Sequence, residues 1–126
     1  MNLPTLDEFV ARRGAWPNNS YVREPGFESL YVRYTSRSLG NAGMKEVLDV
    51  ANVTAKKPGG GAFTRLIGRL RTQYPTLGLY VECVHNERFA ATLTAKLGFQ
   101  ENEHSPGSYY WLPQQVSYAT SVDERK

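Results

Sequence analysis

The sequence predicts an α/β fold on a mixed sheet, and three observations predict it. Val47-Leu-Asp-Val-Ala-Asn-Val-Thr54 and Leu79-Tyr-Val-Glu-Cys-Val-His85 are short runs rich in Val and Leu that read as strands. Between them, apolar residues at Phe63, Leu66, Ile67, Leu70 and Tyr74 keep the spacing that gives a helix one buried stripe. Strand, helix and strand in that order make a βαβ unit, whose crossover renders the two strands parallel. Upstream, Leu30-Tyr-Val-Arg-Tyr34 alternates as a strand does, and the turn Leu39-Gly-Asn-Ala-Gly43 folds it onto residues 44–54 as an antiparallel hairpin.

The remaining elements follow in chain order. Thr5-Leu-Asp-Glu8 has capping-box spacing ahead of Phe9 and Val10, which predicts a helix over 6–13. Gly14, Trp16-Pro17 and Pro25-Gly26 interrupt regular structure. A third helix is expected over 87–97, burying Phe89, Leu93 and Leu97, with Asn86 as its N-cap and Gly98 as its left-handed C-cap. Tyr109-Tyr-Trp-Leu112 reads as the last strand, after a loop at His104-Ser-Pro-Gly107. One domain over 1–118 and a polar, frayed tail over 119–126 complete the expectation.

Composition narrows the function classes. A chain of 126 residues suits one domain, and 40% hydrophobic with 21% charged residues predicts a packed core. The net charge of +3 admits anionic ligands, but no Lys/Arg run predicts a nucleic-acid stripe. Cys83 is the single cysteine and has no internal disulfide partner; mid-strand, it reads as a small buried residue. With no signal-peptide pattern or long apolar run, the expectation is a cytoplasmic, soluble protein that makes no membrane contact. His85 and His104 share no ligand-spaced acids or thiols, so no metal site is expected. Trp16 and Trp111 are expected to pack rather than stack on bases.

The turn Ala55-Lys-Lys-Pro-Gly-Gly-Gly-Ala62 leads into the central helix. Helix N-termini carry unpaired N–H groups and partial positive charge, and glycines there let phosphate oxygens approach the backbone. The P-loop pattern fails because Lys56 and Lys57 precede the glycines, and the dinucleotide pattern fails because Phe63 and Thr64 stand where its third glycine belongs.

These residues resemble the GNAT family, the acetyl-coenzyme A dependent N-acetyltransferases. The family's pyrophosphate turn, Arg/Gln-x-x-Gly-x-Gly/Ala opening a helix shortly after a strand Val, is similar to Pro58-Gly59-Gly60-Gly61-Ala62-Phe63 counted from Val53. A second register sets Lys56, Gly59 and Gly61 on the motif, restoring a basic first residue at the cost of the helix phase. The family's strand, Asn and helix ending in Leu-Gly-Phe is similar to Val81-Glu-Cys-Val-His-Asn86 followed by Ala95-Lys-Leu-Gly-Phe99. The resemblance spans residues 47–99 and departs from the pattern at Pro58, Phe63 and Thr94.

The resemblance implies a GNAT-like mixed sheet with splayed central parallel strands and flanking helices, here with a shortened N-terminal half. It implies acetyl-CoA as acyl donor, its pantetheine arm along Ala51, Asn52, Val53 and Thr54 and a contact with Asn86. Its phosphates would lie against the turn formed by Lys56, Lys57, Gly59, Gly60, Gly61, Ala62, Phe63 and Thr64. Asp49 matches the position where many members carry the base, with Glu82 and His85 as competitors on the second strand. A carboxylate needs its pKa raised by burial for that work, whereas an imidazole does not. The ordinary readings are a solvated or salt-bridged Asp49 on a strand face and a satisfied or exposed His85, and for Arg65 and Arg69 a solvated helix face. Thr94 stands where many members carry the Tyr that protonates the leaving thiolate; its hydroxyl is a far poorer acid, which leaves Tyr80 or water for that role. The acceptor is an amine on a small molecule or a protein, and the short N-terminal half suits a bulky acceptor or a homodimer that completes the pocket. The alternative is a catalytically silent GNAT-like domain that binds coenzyme A or a protein partner.

Overall fold

One long strand belongs to both halves of the sheet in the computed structural model, which describes residues 3–82 and 87–113. This strand, β3 (Met44–Ala55), pairs antiparallel with β2 (Phe27–Ser38) across a 3-10 turn at Gly40–Ala42. It pairs in parallel with β4 (Gly78–Val81), reached through the crossover helix α2 (Ala62–Gln73). With β1 (Asn19–Tyr21), β5 (Gln100–Glu101) and β6 (Tyr109–Trp111), the strand order is β1-β2-β3-β4-β6-β5. All neighbours except β3 and β4 are antiparallel. The mixed sheet, the hairpin and the βαβ unit are those the sequence predicts. The tail over 119–126, and Cys83, His85 and Asn86, lie outside the described residues.

The described helices pack on one face of the sheet. Leu6, Phe9 and Val10 of α1 (Leu6–Ala11), Leu66, Ile67 and Leu70 of α2, and Leu93 and Leu97 join Leu30, Val32, Leu48, Val50, Leu79 and Val81 in one cluster. On the opposite face, Leu39, Val47 and Tyr80 make a small cluster against Ala42, Tyr110 and Leu112. The capping box forms as expected: Thr5 Oγ1 accepts from the Glu8 N–H (3.1 Å) and Glu8 Oε1 from the Thr5 N–H (2.9 Å). This first helix ends at Ala11, two residues short of the expected 13.

Four details differ from the sequence reading. First, β2 outruns its apolar alternation, because Thr35–Ser38 continue the ladder as far as Ser38 opposite Met44 without joining the apolar core. Second, the helix expected over 87–97 divides into α3 (Glu87–Ala91) and a π turn over Thr92–Lys96. There the Thr92 and Thr94 hydroxyls bond back to the carbonyls of Arg88 (3.1 Å) and Ala90 (3.1 Å), a habit that bends helices. Its exit is as expected, with Gly98 at φ +75° and the Phe99 N–H on the Leu93 carbonyl (2.9 Å). Third, Trp16 is 85% exposed rather than packed.

The last difference is a β-bulge in β3. Val50 sits opposite Val32 and Asn52 opposite Tyr31, so Ala51 is the extra residue. Before it, Leu48 and Val50 join the helix-covered core; after it, Val53 and Ala55 do. The bulge therefore turns Asn52 and Thr54 onto the face that also carries Asp49.

Candidate active site

The site begins where β3 and β4 stop pairing. Their ladder joins residues 47–50 to 78–81 and closes with the Glu82 N–H on the Val50 carbonyl at 3.3 Å. β3 runs on through Ala51–Ala55 with β2 on one side, and among the described residues no strand pairs with its other edge. That edge holds Ala51, Asn52, Val53 and Thr54, the segment expected to carry a pantetheine arm. Backbone polar groups left out of a ladder are the kind that an extended ligand satisfies.

The strand leads into the glycine turn, which its neighbours anchor. The Lys56 N–H donates to the Gly26 carbonyl (2.9 Å), and the Gly60 N–H to the Lys57 carbonyl (2.9 Å). Gly61 is the N-cap of α2 at φ +85°, where residues with a Cβ are strained, and among the described residues no side chain caps the helix start. Lys56, Lys57, Gly59, Gly60 and Gly61 are all exposed. Arg65, one turn into the helix, lies exposed as the solvated-face reading expects, and it folds back to donate to the Gly60 carbonyl (3.1 Å), adding positive charge at the turn. Phe63 packs edge-on against Phe89 at 4.9 Å, fastening the helix start to α3, while Thr64 is exposed. An uncapped helix start, three exposed glycines and a nearby guanidinium fit a diphosphate.

On the other face of the sheet from the helices, beside the point of divergence, three strands bring four charged residues together. Arg37 Nη2 donates to Asp49 Oδ2 at 2.5 Å and to Glu82 Oε2 at 2.8 Å. Arg33 donates to the same Glu82 oxygen, and its Nε lies 3.6 Å from Asp49 Oδ2. Asp49 is 0% exposed, and its Oδ1 meets no donor among the described residues. Burial, with the Glu82 carboxylate close by, pushes the Asp49 pKa up to about 7 against the opposing pull of Arg37. Burial acts on Glu82 in the same sense, but the neighbouring Asp49 carboxyl, which takes up the proton in its place, and the bond and charges of Arg33 and Arg37 prevail and hold its pKa below the ordinary value.

Other expected residues fall elsewhere. Thr94 is exposed on the π turn, its hydroxyl donating to the carbonyls of Ala90 (3.1 Å) and Ala91 (3.4 Å). The Tyr80 hydroxyl is buried and accepts from Asn102 Nδ2 at 3.0 Å. Arg69 is no solvated arginine: it reaches Asp7 (2.9 Å), Gln73 (2.6 Å) and Glu24 (2.7 Å), tying α2 to α1 and to the approach to β2. None of the sequence motifs points to Arg33 and Arg37. Their place four residues apart, on a strand whose apolar members are Leu30, Val32 and Tyr34, is the signal that the sequence offers. Among the described residues no three His, Cys, Asp or Glu side chains group as metal ligands, and no helix is long and apolar enough to cross a membrane.

Sequence comparison finds no matching family model and no matching curated protein. Among solved structures, the chain is similar to one in the crystal structure of the KacTA–DNA complex, with a TM-score of 0.51 and 13% identity over 93% of this chain and 82% of that one. The likeness shows the fold: a GNAT-like mixed sheet with flanking helices, as the motifs in the sequence imply.

Proposed function

We propose that this GNAT-fold chain is an acetyl-CoA-dependent N-acetyltransferase that passes the acetyl group directly to an amine. The observation that carries the reading is the junction of β3 and α2: a strand edge that no strand pairs with among the described residues runs into an exposed glycine turn and a helix start that no described side chain caps. An extended thiol arm suits the first, and a diphosphate suits the second. Ala51, Asn52, Val53 and Thr54 would hold the arm, and Lys56, Lys57 and residues 59–64 the phosphates, with Asn86 beside the arm as the resemblance implies. Amide formation from a thioester needs positioning and proton handling more than further activation. Asp49 and Glu82, beside the point where β3 and β4 stop pairing, would handle the proton, and His85 stays a competitor for the base.

The proton for the thiolate need not come from Thr94, since the attacking nitrogen sheds one as the new bond forms. The second reading, a silent domain that binds coenzyme A or a protein, is favoured by one observation: the Thr94 hydroxyl is engaged by its own helix. The acceptor, small molecule or protein, and a homodimer that completes its site belong to the proposal. The similar chain comes from a complex with DNA, which suggests testing a macromolecular acceptor or partner alongside small amines.

Titration with acetyl-CoA tests the reading. Ligand at about a hundred times its dissociation constant should stabilise the fold by about 2.7 kcal/mol, several degrees in melting temperature. No shift removes both coenzyme readings. A shift with no acetyl transfer to an amine panel leaves the silent binder.

A further inference from the structure

We infer that Asp49 and Glu82 act as one proton acceptor, with Glu82 meeting the ammonium group of the acceptor and Arg37 setting how readily the pair takes the proton. The inference rests on the transferase reading above and deepens it. Position in the motif assigns the base to Asp49, yet a side chain with no exposure cannot touch an ammonium group. Glu82 directly follows β4, its N–H closing the ladder on Val50, and its side chain keeps 17% of its surface exposed. Arg37 Nη2 bridges the two carboxyls, at 2.5 Å from one and 2.8 Å from the other, so both share its charge, and Arg33 reaches both as well. The groups facing Asp49 are Arg33 and Arg37 from β2, Tyr80 from β4 and Glu82 just past its end. Such a pair titrates as a unit.

The doubly ionised pair takes one proton from the acceptor ammonium, leaving a neutral amine. Its nitrogen lone pair forms the C–N bond at the thioester carbonyl, the C–S bond breaks, and the sulfur keeps that electron pair. The second proton of the nitrogen goes to the thiolate, and the proton on the pair leaves through Glu82 to solvent. Arg33 and Arg37 are positioning residues, since each acts through the carboxyls.

Infrared difference spectroscopy of the whole protein, with the pH varied, reads the protonated-carboxyl band without reference to catalysis. The wild-type protein should show a band that titrates near neutral pH and is missing in Asp49→Asn. Arg37→Gln removes a lowering charge and should raise the midpoint by about one unit. Glu82→Gln removes a raising charge and should lower it. Arg37→Lys should restore most of the wild-type value, and Arg33→Gln reports the same upward shift if Arg37→Gln fails to fold. For one fixed amine, the rising limb of the transfer rate against pH should move with the infrared midpoint. Absence of the near-neutral band, or a limb that stays in place when Arg37→Gln moves the band, overturns the inference while acetyl-CoA binding stands. Failure of the wild-type protein to bind acetyl-CoA, read separately from melting, overturns the transferase reading and this one with it.

Discussion

A carboxyl group withdrawn from water favours its neutral form unless nearby charge compensates, and at Asp49 burial prevails over the charge of Arg37. The folded protein holds the Asp49 proton with a pKa of about 7, against 3.8 for the free side chain. Its contribution to stability is therefore full below the lower value and is lost as pH rises through the higher one. Glu82, lowered in the fold, has the opposite sign, and its contribution is lost only as the medium becomes acidic. Between about pH 4 and pH 7 the wild-type denaturation midpoint should fall with rising pH, and in Asp49→Asn it should stay flatter. Equal slopes in urea titrations would show that Asp49 ionises as freely as in the unfolded chain. The same substitution should slow acetyl transfer much more than it weakens acetyl-CoA binding, which steady-state rates and a binding isotherm compare directly. Of this cluster, Asp49 and Glu82 are legible in the sequence, because both lie on runs that read as strands of the βαβ unit. The two arginines are not, since no local pattern tells which strand will be laid beside β3 or in what register.

At the scale of elements, the turn before α2 makes the clearest demand on residue type. Gly61 stands at φ +85°, and a Cβ added there would lie 3.1 Å from the Arg65 guanidinium, so substitution carries both strain and crowding. Gly61→Glu should lose acetyl-CoA binding and stay folded, because its carboxylate would stand where phosphate is expected. Gly61→Asn, a residue that tolerates left-handed backbone, should retain most of the affinity. Calorimetric titration distinguishes them, and equal affinities would move the phosphate site away from this turn. Arg69→Met should cost about 1 kcal/mol in chemical denaturation, since it unties a partly exposed charge network that joins α1 to α2. Periodicity exposes α2 and its neighbouring strands plainly in the sequence. The π turn and the bulge at Ala51 stay hidden, because each inserts a single residue into a pattern whose two sides look regular.

For the whole molecule, the uneven covering of the sheet divides the work. The helix-covered side carries the packing, with Leu6, Val10, Val32, Leu48, Ile67, Leu70 and Leu93 fully buried. Ile67→Ala should lower stability by about 2–5 kcal/mol, a large share of what a domain of this size has in reserve. A denaturant midpoint unchanged by that substitution would show that α2 contributes little to the core. On the other side, charged residues meet with none of the described helices above them. Fold class is readable from the sequence because apolar spacing reports which face is covered. The cluster on the open side depends on contacts between residues as far apart as Arg33 and Glu82, and spacing along the chain does not encode those.

The supernumerary residue at position 51 reconciles β3 with both of its surroundings. Under strict two-residue parity along the whole strand, Val53 and Ala55 would swing out into water, while Asn52 and Thr54 would be driven into oil. Excising Ala51 would thus invert nothing, because the residues flanking the gap already face as an unbroken ladder requires. What would change is reach: the path from Asp49 to the glycine corner would contract by about 3 Å, the rise of one strand residue, and draw the two ends of the groove together.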